Sequence, residues 1–125
     1  MEDNHMKKVI STTKAPAAIG PYSQAIEANG FVFASGHPET GVIPEGIEAQ
    51  AEQVMKNMKN LLEAAGTSID QVVKTSVFIK NMDDFATING IYAKYFEKDC
   101  PARSCVEIAR LPKDVLLEME AIAVK

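Results

Sequence analysis

Val115-Leu116-Leu117-Glu118-Met119-Glu120-Ala121-Ile122-Ala123-Val124 is the stretch on which the fold turns. Side chains along a strand point to opposite faces in alternation, so Val115, Leu117, Met119, Ala121 and Ala123 share one side. That side is wholly apolar and belongs under a layer of helices. Leu116, Glu118, Glu120, Ile122 and Val124 share the other side, which mixes two acids with large aliphatics. Such a mixture suits a surface buried between subunits better than one facing solvent. The strand therefore predicts a sheet with helices on one face and a second copy of the chain on the other.

The strand before it carries the chemistry. In the run Arg103 to Ile108, the residues Ser104, Val106 and Ile108 read as the core face, and Arg103, Cys105 and Glu107 point the other way. An arginine on a strand is solvated, paired with an acid, or waiting for an anion, because burying it unpaired is very costly. Glu107, Glu118 and Glu120 are the acids in reach by sequence, so an ion pair and an anion site both stand open.

Upstream, Ala25 to Ala28 and Phe31 to Ser35 are short extended runs joined by Asn29-Gly30, a pair that favours a tight hairpin turn. From Ile47 the apolar residues Ala51, Val54, Met55, Met58, Leu61, Leu62 and Ala65 recur at three-and-four spacing, predicting a helix that Gly66 stops. Its opposite face, with Glu48, Glu52, Lys56, Lys59 and Glu63, is solvated. Val73, Thr75, Val77 and Ile79 alternate within Val72 to Ile79 and predict a strand. Asp83-Asp84 offers caps for a second helix bearing Phe85, Ile88, Tyr92, Tyr95 and Phe96. Gly90 inside that helix costs about 1 kcal/mol against alanine, which points to close packing there. The order β-β-β-α-β-α-β-β makes an α+β layer: a mixed sheet of about six strands with two helices on one face.

Composition narrows the function. The 125 residues are 46% hydrophobic and 24% charged, enough for one globular domain and too few for two. A net charge of -4 and the lack of any Lys/Arg run argue against a nucleic-acid surface. No apolar stretch approaches the roughly 20 residues that cross a membrane, and no signal-peptide core is visible, so the cytoplasm is the expected compartment. Cys100 and Cys105 make no disulfide framework, and no CxxC or Cys/His cluster offers a metal site. His5 and His37 lie far apart beside loop-like residues, and neither reads as a ligand. Residues 1–5 read as a tail or expression remnant, with the domain proper at 6–125. Gly20-Pro21 fixes the backbone before Tyr22, whose phenol either contacts a ligand or covers the core edge.

Taken together, these residues resemble the RidA proteins, the reactive intermediate/imine deaminases also called the YjgF family. The resemblance rests on Gly20-Pro21-Tyr22-Ser23-Gln24-Ala25, Phe33-Ala34-Ser35-Gly36, Asn89 with Tyr92, Pro101-Ala102-Arg103-Ser104, Leu111-Pro112, and Glu118-Met119-Glu120-Ala121-Ile122-Ala123. It spans nearly all of Met6 to Lys125. It implies a chorismate-mutase-like subunit, a homotrimer with active sites between subunits, and hydrolysis of enamines and imines such as 2-aminoacrylate and 2-iminopropanoate. The products are a 2-keto acid and ammonia, with no metal or organic cofactor. By match to the motif, Arg103 anchors the substrate carboxylate and Glu118 assists water attack and proton transfer. Tyr22 covers the substrate, Ser35, Gly36 and Cys105 line the pocket, and Asn89 supports it; Cys105 needs no nucleophilic role, since no histidine partner is evident. The chain departs from the pattern after Ser35-Gly36, where His37 leads directly into Pro38-Glu39-Thr40-Gly41 in place of a longer segment containing Gln and Pro. A trimeric module that binds small carboxylates without turnover is the alternative, with translation inhibition or RNA cleavage third.

Overall fold

Asn29 and Gly30 both take positive φ, 52° and 80°, as a two-residue turn that follows the twist of its strands requires. In the computed structural model, which describes residues 6–125, this turn joins β2 (Ala25–Ala28) to β3 (Phe31–Gly36). The remaining elements are β1 (Lys8–Ile10), α1 (Ile47–Ala64), β4 (Val72–Ile79), α2 (Phe85–Tyr95), β5 (Ala102–Glu107) and β6 (Leu117–Val124). Their order is the one expected, and the class is α+β. The tail expected at residues 1–5, with His5, lies outside the described residues.

The strands form one six-stranded sheet in the order β1-β2-β3-β6-β4-β5. All neighbours are antiparallel except β4 and β5, which α2 connects in parallel. β6 lies near the middle, and its apolar side is covered as predicted: Leu117, Met119, Ala121 and Ala123 are all buried, as is Val115 just before the strand. Against them α1 sets Val54, Met58, Leu61 and Leu62, each at most 1% exposed. Truncating one of these leucines to alanine is expected to cost about 2–5 kcal/mol, because the packed surroundings close only partly over the void. Gly66 takes φ 85° after the last turn of α1 and stops it.

Several local expectations fail for identifiable reasons. A bulge between Val72 and Lys74 shifts the phase of β4, so Val72 is buried and Val73 is 44% exposed. Asp84 occupies the N-cap position of α2 as expected but its side chain makes no capping bond; the side-chain cap comes one turn earlier, where Asn81 accepts the Asp83 N–H at 2.9 Å and a short 3₁₀ turn (Met82–Asp84) leads into α2. Gly90 is exposed, and a Cβ there would meet nothing within 4 Å, so no close packing within the chain explains it.

The largest correction concerns β5. Its parallel register sets Arg103 beside Thr75 and Cys105 beside Val77, both buried residues on the helix-covered face. Ser104 and Val106, expected in the core, lie instead on the uncovered face, where Val106 is 46% exposed. The phase is set by the hydrogen-bonded partner, and β5 is an edge strand with room for long polar side chains between it and α2. Phe31, Phe33, Val73 and Val106 leave large apolar side chains exposed on the uncovered face of the sheet, beside Lys74, Ser104, Glu118 and Glu120.

Candidate active site

Because β5 runs along the sheet edge beneath α2, the Arg103 side chain reaches the helix directly. Its Nη1 donates to Asn89 Oδ1 at 2.7 Å. The guanidinium carbon sits 4.9 Å from the centre of the Tyr92 ring and 5.4 Å from that of Phe85. The negative faces of aromatic rings attract a cation, so this wall holds the group without neutralising it. The Tyr92 hydroxyl is itself pinned to the Thr75 hydroxyl at 2.7 Å, which fixes the ring. Among the described residues no carboxylate pairs with Arg103. Glu107, one of the acids in reach by sequence, instead accepts the backbone N–H of Met82 at 2.7 Å. An oriented, half-buried guanidinium without an acid partner is a site for an anion.

Cys105 follows on the same face. Burial pushes its thiol above the ordinary range, and the Arg103 charge offsets this only in part. The thiol therefore stays protonated near neutrality, and the side chain is a poor nucleophile.

Glu118 belongs to a different place. Phe78 is its partner on β4, and it points to the face away from the helices. It opens into a cavity of about 260 Å³ that Tyr22, Ser35 and His37 also line. Burial raises the carboxyl above its ordinary value of 4.5, and the nearby His37 partly counters the shift. Tyr22, 55% exposed, stands at the mouth. Its wall is held by Gln24, a buried amide that accepts the Thr12 N–H at 2.8 Å and donates to the Pro16 carbonyl at 2.6 Å. Gly36, expected in the lining, instead sits on the helix-covered face, where a Cβ would come within 3.1 Å of Met58 and 3.3 Å of the Met119 carbonyl.

The expected site residues thus fall into two groups. Arg103, Asn89 and Cys105 gather at the edge between β5 and α2; Glu118, Tyr22 and Ser35 gather on the opposite face of the sheet. β4 separates β5 from β6, and its register sets Arg103 level with Thr75 but Glu118 level with Phe78. The two Cα atoms are therefore offset by roughly 10 Å across the strands and roughly 10 Å along them. A small 2-imino acid does not bridge that gap within one chain.

Sequence reasoning missed three residues that build the second group. His37 presents its Nε2 at 3.7 Å from Glu118 Oε2. Asn57, buried on α1, donates to the carbonyl oxygens of His37 at 2.6 Å and Glu39 at 3.1 Å. Gln24 is the third. A polar residue interrupting an apolar helix face is the signal Asn57 left, since Met55 and Met58 flank it. His37 stood out in the sequence only as the residue at which the chain departs from the family pattern. Among the described residues, no group of three or more His, Cys, Asp or Glu side chains is gathered to hold a metal ion, and no helix is long and apolar enough to cross a membrane.

Comparison with known proteins extends this geometry. The family model described as Endoribonuclease L-PSP matches residues 12–125. A 2-iminobutanoate/2-iminopropanoate deaminase of Salmonella typhimurium is 50% identical, over 96% of this chain and 99% of its own length. A RutC family protein of Pyrococcus horikoshii is 54% identical over 96% and 99% of the respective chains. Among solved structures, Escherichia coli TdcF with bound serine superposes with a TM-score of 0.90 at 46% identity, covering 94% of this chain and 98% of that one.

Proposed function

The chain belongs to the endoribonuclease L-PSP family, also called YjgF or RidA, and from that premise we propose that it hydrolyses 2-enamine and 2-imino acids to 2-keto acids and ammonia. The observation that carries the reading is Arg103, a cation oriented by Asn89 and two aromatic rings and paired with no acid among the described residues. A planar guanidinium fits a substrate carboxylate with two parallel hydrogen bonds, which a lysine cannot reproduce. The serine bound to TdcF is a small α-carboxylate of the same kind.

Both groups of residues are needed on one substrate, and they stand on opposite faces of the sheet. In the reading proposed, the cleft forms between neighbouring subunits of a homotrimer in the cytoplasm. One subunit supplies Arg103, Asn89 and Cys105; the next supplies Glu118, Tyr22 and Ser35. The uncovered sheet face, with its exposed apolar side chains, is the surface on which such an assembly is buried.

The chemistry follows from the groups. With the carboxylate held by Arg103, the imine carbon lies toward Glu118 of the neighbouring subunit. The Glu118 carboxylate takes a proton from water as its oxygen attacks that carbon and passes it to the nitrogen, giving a carbinolamine; it then takes the remaining hydroxyl proton as the C–N bond breaks and passes that to the departing nitrogen. Water's oxygen becomes the keto oxygen, and nitrogen leaves as ammonia. Burial that lifts the Glu118 pKa makes it a better proton carrier in both directions. Tyr22 closes the mouth of the cavity.

Purified protein, given an imine formed in situ by an amino-acid oxidase, is expected to speed the release of keto acid and ammonia. Arg103→Ala abolishes the effect, and unchanged turnover in that variant overturns the assignment. The serine complex of TdcF favours one second reading, a module that binds small carboxylates without turning them over. Saturable heat of binding without catalysis would select it. RNA cleavage, which the family's descriptive name suggests, finds little support in a chain of net charge -4.

A further inference from the structure

The loop between β3 and α1 does something the site residues named so far do not. His37 follows β3 directly, and its position is fixed from several sides. Asn57 of α1, 1% exposed, donates to the carbonyl oxygens of His37 and Glu39. The Glu39 backbone N–H donates to His37 Nδ1 at 3.3 Å. The Glu39 carboxylate is held in turn by Lys113 Nζ at 2.7 Å. With Nδ1 accepting, the neutral imidazole carries its proton on Nε2, the atom that faces Glu118 Oε2 at 3.7 Å. The other ionisable groups lining this cavity are Tyr22, Glu39 and Lys113, of which the last two pair with each other.

We propose that His37 is a positioning residue for Glu118: from its fixed place in the loop it presents Nε2 to the carboxylate across the cavity and favours its ionised form. The inference rests on Glu118 being the proton carrier of the imine hydrolysis. At 3.7 Å the pair is too long for a direct hydrogen bond but close enough for charge to be felt across a half-buried cavity. An N–H dipole or imidazolium directed at a carboxylate favours its charged form, so removing the ring makes Glu118 harder to ionise. Arg103 lies outside this contact and continues to bind the carboxylate of the substrate. The loss therefore falls on kcat, with KM largely kept.

The test compares wild type, His37→Ala and His37→Gln in turnover of an imine generated in situ, across pH 5 to 9. For His37→Ala, kcat is expected to fall about 10–100-fold, the range for residues that orient a catalytic group. The acid limb of its pH profile moves to higher pH. Glutamine places an amide N–H where Nε2 stands, so His37→Gln recovers most of kcat at neutral pH. Carbon-13 NMR titration of the Glu118 carboxyl is the second readout, and it needs no turnover: its pKa rises in His37→Ala. A kcat and pH profile equal to wild type in His37→Ala, or an unmoved Glu118 titration, overturns the proposal. If wild type fails to turn over the imine while the Glu118 titration still shifts, the coupling stands and the deaminase reading falls.

Discussion

The edge where β5 meets α2 and the cavity beside β6 are built by opposite means. At the edge a permanent cation is surrounded by aromatic faces and one amide, with burial moderate and no acid among the described residues to quench it. In the cavity a carboxyl is partly removed from water, which pushes it toward its neutral form, and a histidine pulls it back. The first arrangement fixes a charge; the second leaves a charge adjustable. Binding needs the former and proton transfer the latter, and within one chain the sheet keeps them apart.

The comparison is broken most severely at its adjustable end. Glu118→Gln keeps the shape and removes the proton carrier, so kcat is expected to fall about 10²–10⁴-fold with little change in the affinity for a non-reacting 2-keto acid. A loss confined to KM would show that Glu118 binds and does not carry protons. Next comes Arg103→Ala, for which steady-state kinetics should show kcat/KM reduced roughly 10²–10³-fold. Arg103→Lys is expected to recover little of that, because a single ammonium cannot make the two-pronged contact.

Asn89→Ala sharpens the contrast at smaller scale. It removes the acceptor that orients the guanidinium and is expected to raise KM about tenfold while leaving the pH profile unmoved. A displaced pH profile in this variant would mean that the two regions are not electrostatically separate.

The smallest effect concerns stability. Glu118 has a raised pKa in the folded chain, so its contribution to stability is present below the ordinary carboxylate pKa and is lost as pH rises through the folded value. Above the folded value the ionised, desolvated carboxylate is a burden, and thermal melting of Glu118→Gln there should give a Tm equal to or above wild type. A clearly lower Tm would place Glu118 in the structure rather than in the chemistry.

Much of the fold was legible because it depends on period and turn chemistry. Asn29-Gly30 required the hairpin, the Ile47 to Ala65 spacing required the helix, and the alternation through Val115 to Ala123 required a sheet covered on one side. Phase at the edge was not legible. Ser104 and Val106 look more like core than Arg103 and Cys105 do, and only pairing with β4 reveals that the polar set lies beneath the helix. The same blindness made Arg103 and Glu118 seem neighbours, since strands adjacent in sequence are here separated by β4. Of the candidate site, the residues that match the motif could be named; the roles of His37, Asn57 and Gln24 lie in contacts between distant segments, which the motif around Gln24 and the polar break at Asn57 do not specify. Gly36 was misplaced by one step of strand alternation.

The central claim is that a working cleft takes Arg103 from one subunit and Glu118 from another. Co-expression of Arg103→Ala with Glu118→Gln, followed by purification of the mixed assemblies, tests it directly. Each variant alone is expected to be inactive. If neighbouring subunits share each cleft, random mixing pairs an intact Arg103 with an intact Glu118 in about a quarter of the clefts, and turnover returns to about a quarter of wild type. Mixed assemblies as inactive as either parent would contradict the account, because they would place both residues of every working site in a single chain.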